Sequence, residues 1–109
     1  MKRLRLGPAD LEEGQVRSCD LHDRIVLVSR FDGRYWAISD WCNHAGCLLS
    51  RSKLEGEMIM CHCHYAEFNA RTGALLSEPR LCDDQAQYQL KFEGGRVFGL
   101  RLPDPPHIE

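Results

Sequence analysis

Short apolar runs separated by turn residues make up most of the chain. The clearest run, Ile25 to Phe31, begins with four consecutive apolar residues, which is typical of a buried strand. Asp32-Gly33 follows directly and is a strong two-residue hairpin signal, with the return strand at Tyr35 to Ser39. Further strands are predicted over Gln15 to Asp20, Met58 to Met60, Tyr88 to Phe92 and Val97 to Leu102.

Other regular structure is scarce. One helical turn at most is predicted, at Leu11 to Glu13, and Gly94-Gly95 marks a second hairpin. Short strands with closely spaced turns indicate an all-β fold, an antiparallel sandwich or barrel. The chain has 109 residues and neither an internal repeat nor a long linker, so one domain over residues 1–109 is expected.

Composition and charge narrow the class of protein. A net charge of −2 gives no basic surface for nucleic acid. The basic start is followed by no apolar signal region, and no apolar run is long enough to span a membrane. We therefore expect a soluble cytoplasmic protein without a membrane anchor. Six cysteines could indicate a secreted disulfide scaffold, but the interleaved histidines and the missing signal argue against it.

Two short boxes carry the candidate chemistry. Residues 42–47 read CNHAGC and residues 61–64 read CHCH, so a C-x-H box and a C-x-x-H box are separated by residues 45–60. Two loops that each supply one Cys and one His can fix a two-iron cluster, with thiolates on one iron and imidazoles on the other. Two Cys and two His can also hold tetrahedral zinc in a binding module, although zinc sites usually use a different spacing.

The boxes and their surroundings resemble the Rieske iron–sulfur family. Gly46 and Leu49 match positions that this family often fills with Gly and an apolar residue, and residues 68–73 read FNARTG, which fits its F-D/N-x-x-T-G pattern. The resemblance implies a Rieske fold, an antiparallel β-sandwich or barrel with a small cluster-binding subdomain. Its cluster-binding loops would be at about 41–49 and 60–68.

The resemblance also assigns the ligands of a Rieske-type [2Fe-2S] cluster. Cys42 and Cys61 would bind the inner iron, and His44 and His64 the outer, more exposed iron. Because imidazole ligands are neutral, such clusters are reduced more easily than all-thiolate ones, at roughly −150 to +300 mV.

A second cysteine pair resembles that of respiratory Rieske proteins, in which the corresponding residues form a disulfide between the two cluster loops. The resemblance therefore implies a Cys47–Cys63 disulfide. The alternative is two reduced, buried thiols, because disulfides are unusual in a reducing compartment.

The second box departs from the respiratory pattern C-P-C-H-G-S, which is followed by a Tyr two residues after the Ser. His62 replaces the Pro, Tyr65 the Gly and Ala66 the Ser, and Phe68 stands where the Tyr would be. Hydroxyl donors to cluster sulfurs stabilise the reduced state and raise the potential. Because Ala66 and Phe68 have no hydroxyl, we expect a potential near the bottom of the Rieske range.

Outside the boxes, Pro79 resembles the proline of a third, cluster-covering loop in the family, and an ordinary turn is the alternative. Cys19 and Cys82 are expected to be core or half-buried thiols. His62 is expected to be a surface histidine, because the C-x-x-H spacing already uses His64.

The resemblance implies an electron carrier rather than an enzyme. It would accept electrons from a flavin-dependent reductase and pass them to a terminal, ring-hydroxylating oxygenase, in transient complexes around His44 and His64. The sequence offers no separate 2-His-1-carboxylate set, so it is not expected to be the oxygenase itself. The small subunit of an assimilatory nitrite reductase is the alternative within the same fold.

Overall fold

The computed structural model describes residues 4–21, 24–41, 47–63, 65–76 and 84–101. These residues form nine β-strands and one short 3-10 helix, Leu49–Arg51. No helix within this part of the chain is long and apolar enough to cross a membrane. The strands are β1 Leu4–Pro8, β2 Val16–Asp20, β3 Ile25–Phe31, β4 Arg34–Ser39, β5 Leu54–Glu55, β6 Met58–Met60, β7 Glu67–Asn69, β8 Tyr88–Glu93 and β9 Arg96–Arg101.

The strands pair into three antiparallel sheets of three strands each, in the orders β1-β9-β8, β2-β3-β4 and β5-β6-β7. An isolated bridge between Ile38 and Gln87 joins the second sheet to the segment before β8. The predicted all-β class is confirmed, and both predicted hairpins form, β3–β4 and β8–β9.

Strand β3 lies between two hydrophobic cores. Val26 and Val28 pack into one core, whereas Leu27 and Phe31 pack into the other, because successive side chains of a strand point to opposite faces. The first core also holds residues of β1, β8 and β9, and the second holds residues of β6 and β7. The sheet β2-β3-β4 is therefore the middle layer, and this explains the continuous apolar run at the start of β3.

The structure departs from the sequence prediction near the N-terminus. Strand β1 was not predicted, although Leu4 and Leu6 are buried on either side of an exposed Arg5, the alternation of a half-buried strand. The helical turn predicted at Leu11 to Glu13 is wrong. Leu11 is buried in the first core, and Glu12 instead begins a turn that is closed by a 3.0 Å hydrogen bond from the Gln15 amide.

Candidate metal centre

One of the four proposed cluster ligands lies among the described residues. Cys61 directly follows β6 and is fully buried, in the same core as Ile59, Ala66 and Phe68. Cys42, His44 and His64 lie outside the described residues. The structure therefore describes most of the second box and its surroundings. For the first box it describes only the residues on either side, up to Trp41 and from Cys47.

The second box is a closed loop. The Cys61 amide donates to the Ala66 carbonyl, and the Tyr65 amide donates to the Cys61 carbonyl, each at 2.8 Å. Closing the loop in this way places Tyr65 in the left-handed region, with φ of 64°. Glycine adopts that region without steric cost. This is the physical reason why a Gly at this position, as in the respiratory pattern, suits the loop.

A disulfide joins the two box regions. It links Cys47 to Cys63 with their Cα atoms 6.4 Å apart, and this is the pair that the family resemblance implies. The Sγ atoms of Cys47, Cys61 and Cys63 all lie within 4.8 Å of one another. Since two of these sulfurs are bonded to each other, only Cys61 can supply a thiolate, and the three together are not a metal site.

The base of the first loop is fixed by a buried carboxylate that the sequence analysis missed. Asp40 is fully buried, and its side chain accepts hydrogen bonds from the Ser50 amide at 2.7 Å and the Ser50 hydroxyl at 2.6 Å. The Asp40 carbonyl also accepts from the Leu49 amide at 2.9 Å, and Trp41 bridges to Leu48. These contacts hold together the two ends of the segment that contains Cys42.

A buried glutamine links the first loop to the turn after the second box. The Gln85 side-chain amide donates to the carbonyls of Ser39 at 2.8 Å and Trp41 at 2.7 Å. Its backbone amide donates to the Gly73 carbonyl at 2.7 Å. Gln85 was also missed, because a single Gln in a sequence carries no signal of such a contact. The loop predicted around Pro79, which precedes Gln85, lies outside the described residues.

The FNARTG motif at residues 68–73 forms the turn after β7. The Asn69 side-chain carbonyl accepts hydrogen bonds from the amides of Arg71 at 2.8 Å and Thr72 at 3.2 Å, an Asx-type turn. Gly73 has φ of 82° and lies so close to the Gln85 carbonyl that a Cβ atom there would collide with it. The motif therefore encodes a tight turn rather than a ligand.

The predictions for His62 and Cys19 agree with the structure, and Cys82 lies outside the described residues. Ala66 and Phe68 are fully buried, and neither offers a hydroxyl to the core around Cys61. His62 is exposed, as predicted. Cys19 is half-buried, as predicted, and its thiol donates to the Leu6 carbonyl at 3.1 Å. Burial raises the pKa of the Cys19 thiol despite an opposing effect of nearby positive charge.

The fold is layered and antiparallel, and a disulfide joins the regions of two Cys-His boxes in the sequence. These features define an iron–sulfur protein of the Rieske class. The chain belongs to the Rieske [2Fe-2S] domain family, whose model matches residues 5–89. The cofactor is accordingly a Rieske-type [2Fe-2S] cluster, which supplies one-electron redox chemistry when bound. Cys61 fits the role of a cluster ligand, because it is buried and the neighbouring Cys47 and Cys63 are already joined in a disulfide.

Two relatives are named as ferredoxin parts of dioxygenases. The chain is 33% identical over 106 residues to the 3-phenylpropionate/cinnamic acid dioxygenase ferredoxin subunit of Escherichia coli K12, covering 95% of this chain and 97% of the relative. It is 32% identical over 89 residues to the ferredoxin component of biphenyl 2,3-dioxygenase of Rhodococcus jostii RHA1, covering 82% of each. A chain in the solved complex of reduced oxygenase and oxidized ferredoxin of carbazole 1,9a-dioxygenase superposes with a TM-score of 0.78 at 26% identity, covering 89% of this chain and 91% of that chain.

Proposed function

We propose that this chain is the ferredoxin of a multicomponent oxygenase, formed as one Rieske domain over residues 1–109. It carries one electron at a time from a flavin-dependent reductase to a terminal, ring-hydroxylating oxygenase in the cytoplasm. Cys42 and Cys61 bind one iron of the cluster, and His44 and His64 bind the other. The observation that carries the proposal is the buried Cys61 beside the Cys47–Cys63 disulfide, in a chain that matches the Rieske family over residues 5–89.

The oxygenase partner is supported by the relatives. Two of them are named as ferredoxin parts of dioxygenases, and a similar fold occurs in a complex of an oxygenase with a ferredoxin. Weak complexes with small interfaces suit a carrier that must dock and leave repeatedly. The flavin-dependent reductase is proposed as the donor because a reduced flavin can release its electrons one at a time, which suits a one-electron carrier.

Metal analysis with spectroscopy tests the ligand assignment. Purified protein should contain two irons and two sulfides per chain, as a [2Fe-2S] cluster requires, and should give a Rieske-type EPR spectrum after reduction. Cys61→Ala should abolish cluster binding. Cys19→Ala, which removes a half-buried thiol from the other core, should leave the spectrum unchanged.

Two outcomes would replace the proposal. A colourless protein with one zinc per chain, obtained under anaerobic conditions that preserve iron–sulfur clusters, would indicate the zinc-binding module. Co-purification with a large partner that contains flavin and sirohaem would indicate the small subunit of a nitrite reductase.

A further inference from the structure

Exposed apolar side chains concentrate near the ligand loops. The described residues expose four large apolar side chains. Trp41 and Tyr65 directly flank the two boxes in the sequence, and a third, Leu76, is hydrogen-bonded to Glu67, two residues after Tyr65. Single exposed apolar residues are common on any protein surface. A group of them at one functional end is a mark of an interaction site.

Tyr65 is exposed at a position that is unfavourable for its backbone. Its φ of 64° is required by the loop that closes between Cys61 and Ala66, and glycine would adopt it without strain. The Tyr65 side chain is 69% exposed and forms no hydrogen bond or ring contact with the described residues. Packing within this part of the fold therefore does not offset the strain, and a backbone outlier of this kind points to a function for the side chain.

Trp41 has a fixed backbone and an exposed ring. Its carbonyl accepts a 2.7 Å hydrogen bond from the Gln85 side chain, and it bridges to Leu48, yet the residue is 51% exposed. Leu48 is next to Cys47, whose disulfide partner Cys63 lies two residues before Tyr65. The two aromatic residues therefore stand on loops that are covalently joined.

Leu76 belongs to the same end of the β5-β6-β7 sheet. Its amide donates at 2.7 Å to the carbonyl of Glu67, the first residue of β7, and Glu67 pairs with Met60 at the end of β6. Tyr65 lies in the connection between Met60 and Glu67.

We propose, on the basis of the proposed function, that Tyr65 and Trp41 form an aromatic docking surface for the terminal oxygenase. Exposed aromatic side chains on a rigid backbone lose little conformational entropy on binding, and Tyr and Trp are prominent among interface hot spots. The occupant is the oxygenase because a similar chain occurs in complex with an oxygenase. The surface of the oxygenase would present an apolar pocket beside the metal centre of the oxygenase that accepts the electron.

Variants at Tyr65 separate the ring from the backbone conformation. Tyr65→Ala and Tyr65→Gly both remove the ring, but only Tyr65→Gly removes the strain, whereas Tyr65→Phe keeps the ring. Trp41→Ala removes the second aromatic side chain. Phe92→Ala is the matched control, because Phe92 is 53% exposed in β8 and contacts Tyr35 instead of the ligand loops.

The assay is stopped-flow transfer from each reduced holoprotein to the oxygenase component of the E. coli K12 3-phenylpropionate/cinnamic acid dioxygenase, the system of the relative that is 33% identical. Reduction potential, EPR spectrum and Tm are recorded for each variant. We expect the oxygenase concentration at half-maximal rate to rise about tenfold or more in Tyr65→Ala, Tyr65→Gly and Trp41→Ala, the effect of losing a hot spot. Tyr65→Phe and Phe92→Ala should match the wild type, potentials should be unchanged, and Tyr65→Gly should have a higher Tm than Tyr65→Ala.

Each other outcome overturns the inference in a recognisable way. The oxygenase concentration at half-maximal rate could be unchanged in Tyr65→Ala, Tyr65→Gly and Trp41→Ala. That result would show that the oxygenase docks elsewhere, and the proposed function would still stand. If the ring-removal variants impair only electron transfer from a flavin-dependent reductase, the surface binds the reductase. If they disrupt only a homodimer in solution, the surface binds a second copy of this chain. Failure of the wild-type protein to reduce the oxygenase at all would count against the proposed function itself, and the docking surface would fall with it.

Discussion

Adding a hydroxyl at Ala66 should raise the reduction potential of the cluster. Ala66 is fully buried in the same core as the proposed ligand Cys61, and its carbonyl accepts the Cys61 amide at 2.8 Å. A serine hydroxyl at this position would be held beside Cys61. A buried hydroxyl requires a partner, and sulfur atoms of the ligand and the cluster are the acceptors that gain negative charge on reduction.

The size of the shift follows from the strength of such a bond. A hydrogen bond to a charged acceptor contributes about 1.5–3 kcal/mol, and only the difference between the two redox states changes the potential. If that difference is about 1.4 kcal/mol, a factor of ten in the equilibrium constant, Ala66→Ser raises the potential by about 60 mV. We expect the wild-type potential to lie near the low end of the range of roughly −150 to +300 mV.

Redox titration followed by EPR measures this shift. Ala70→Ser is the control, because Ala70 is also fully buried in the same core but follows the other end of β7, away from Cys61. It should destabilise the fold without raising the potential. An Ala66→Ser potential within about 10 mV of the wild type, a small fraction of the ~60 mV tenfold step, would refute the reasoning if the cluster is intact. A wild-type potential well above about +150 mV, in the upper part of the Rieske range, would refute it as well.

Three further predictions concern the scaffold and are measured by urea denaturation. Ser50→Ala should cost about 1.5–3 kcal/mol, because the buried Asp40 carboxylate loses a 2.6 Å hydrogen bond; a cost below ~0.5 kcal/mol, the low end for any hydrogen bond, would contradict it. Gly73→Ala should cost more than Gly94→Ala, since both have positive φ but only Gly73 lies against another backbone, and equal costs would show that the close approach does not matter. The pKa of Cys19 is raised in the folded state, so the thiol's contribution to stability is present below the unfolded pKa of about 8.5 and is lost as pH rises above that value. Cys19→Ala should not show this loss of stability. Parallel stability profiles of the two proteins against pH would contradict the prediction.

The local signals in the sequence were sufficient for the class of the protein. The two Cys-His boxes, at residues 42–44 and 61–64, point to the Rieske family because the residues of each box are close together in the chain and their pattern is visible in the sequence. The apolar run of β3 and the Asp32-Gly33 turn indicate a hairpin because a turn depends on the conformations of neighbouring residues. Strand β1 was not predicted from the sequence, because the alternation of its buried leucines with Arg5 covers only three residues and is a weak strand signal.

The arrangement that holds the loops was decided by tertiary structure alone. Asp40 meets Ser50 across 10 residues, and Gln85 meets the Trp41 carbonyl across 44, and no periodicity in a sequence records which distant backbone groups will approach each other. In a sequence, polar residues such as these cannot be distinguished from residues on the surface. They stabilise the fold only when they are buried and hydrogen-bonded to specific partners. The left-handed backbone of Tyr65 is of the same kind, because it is imposed by hydrogen bonds that close the loop and not by any preference of tyrosine.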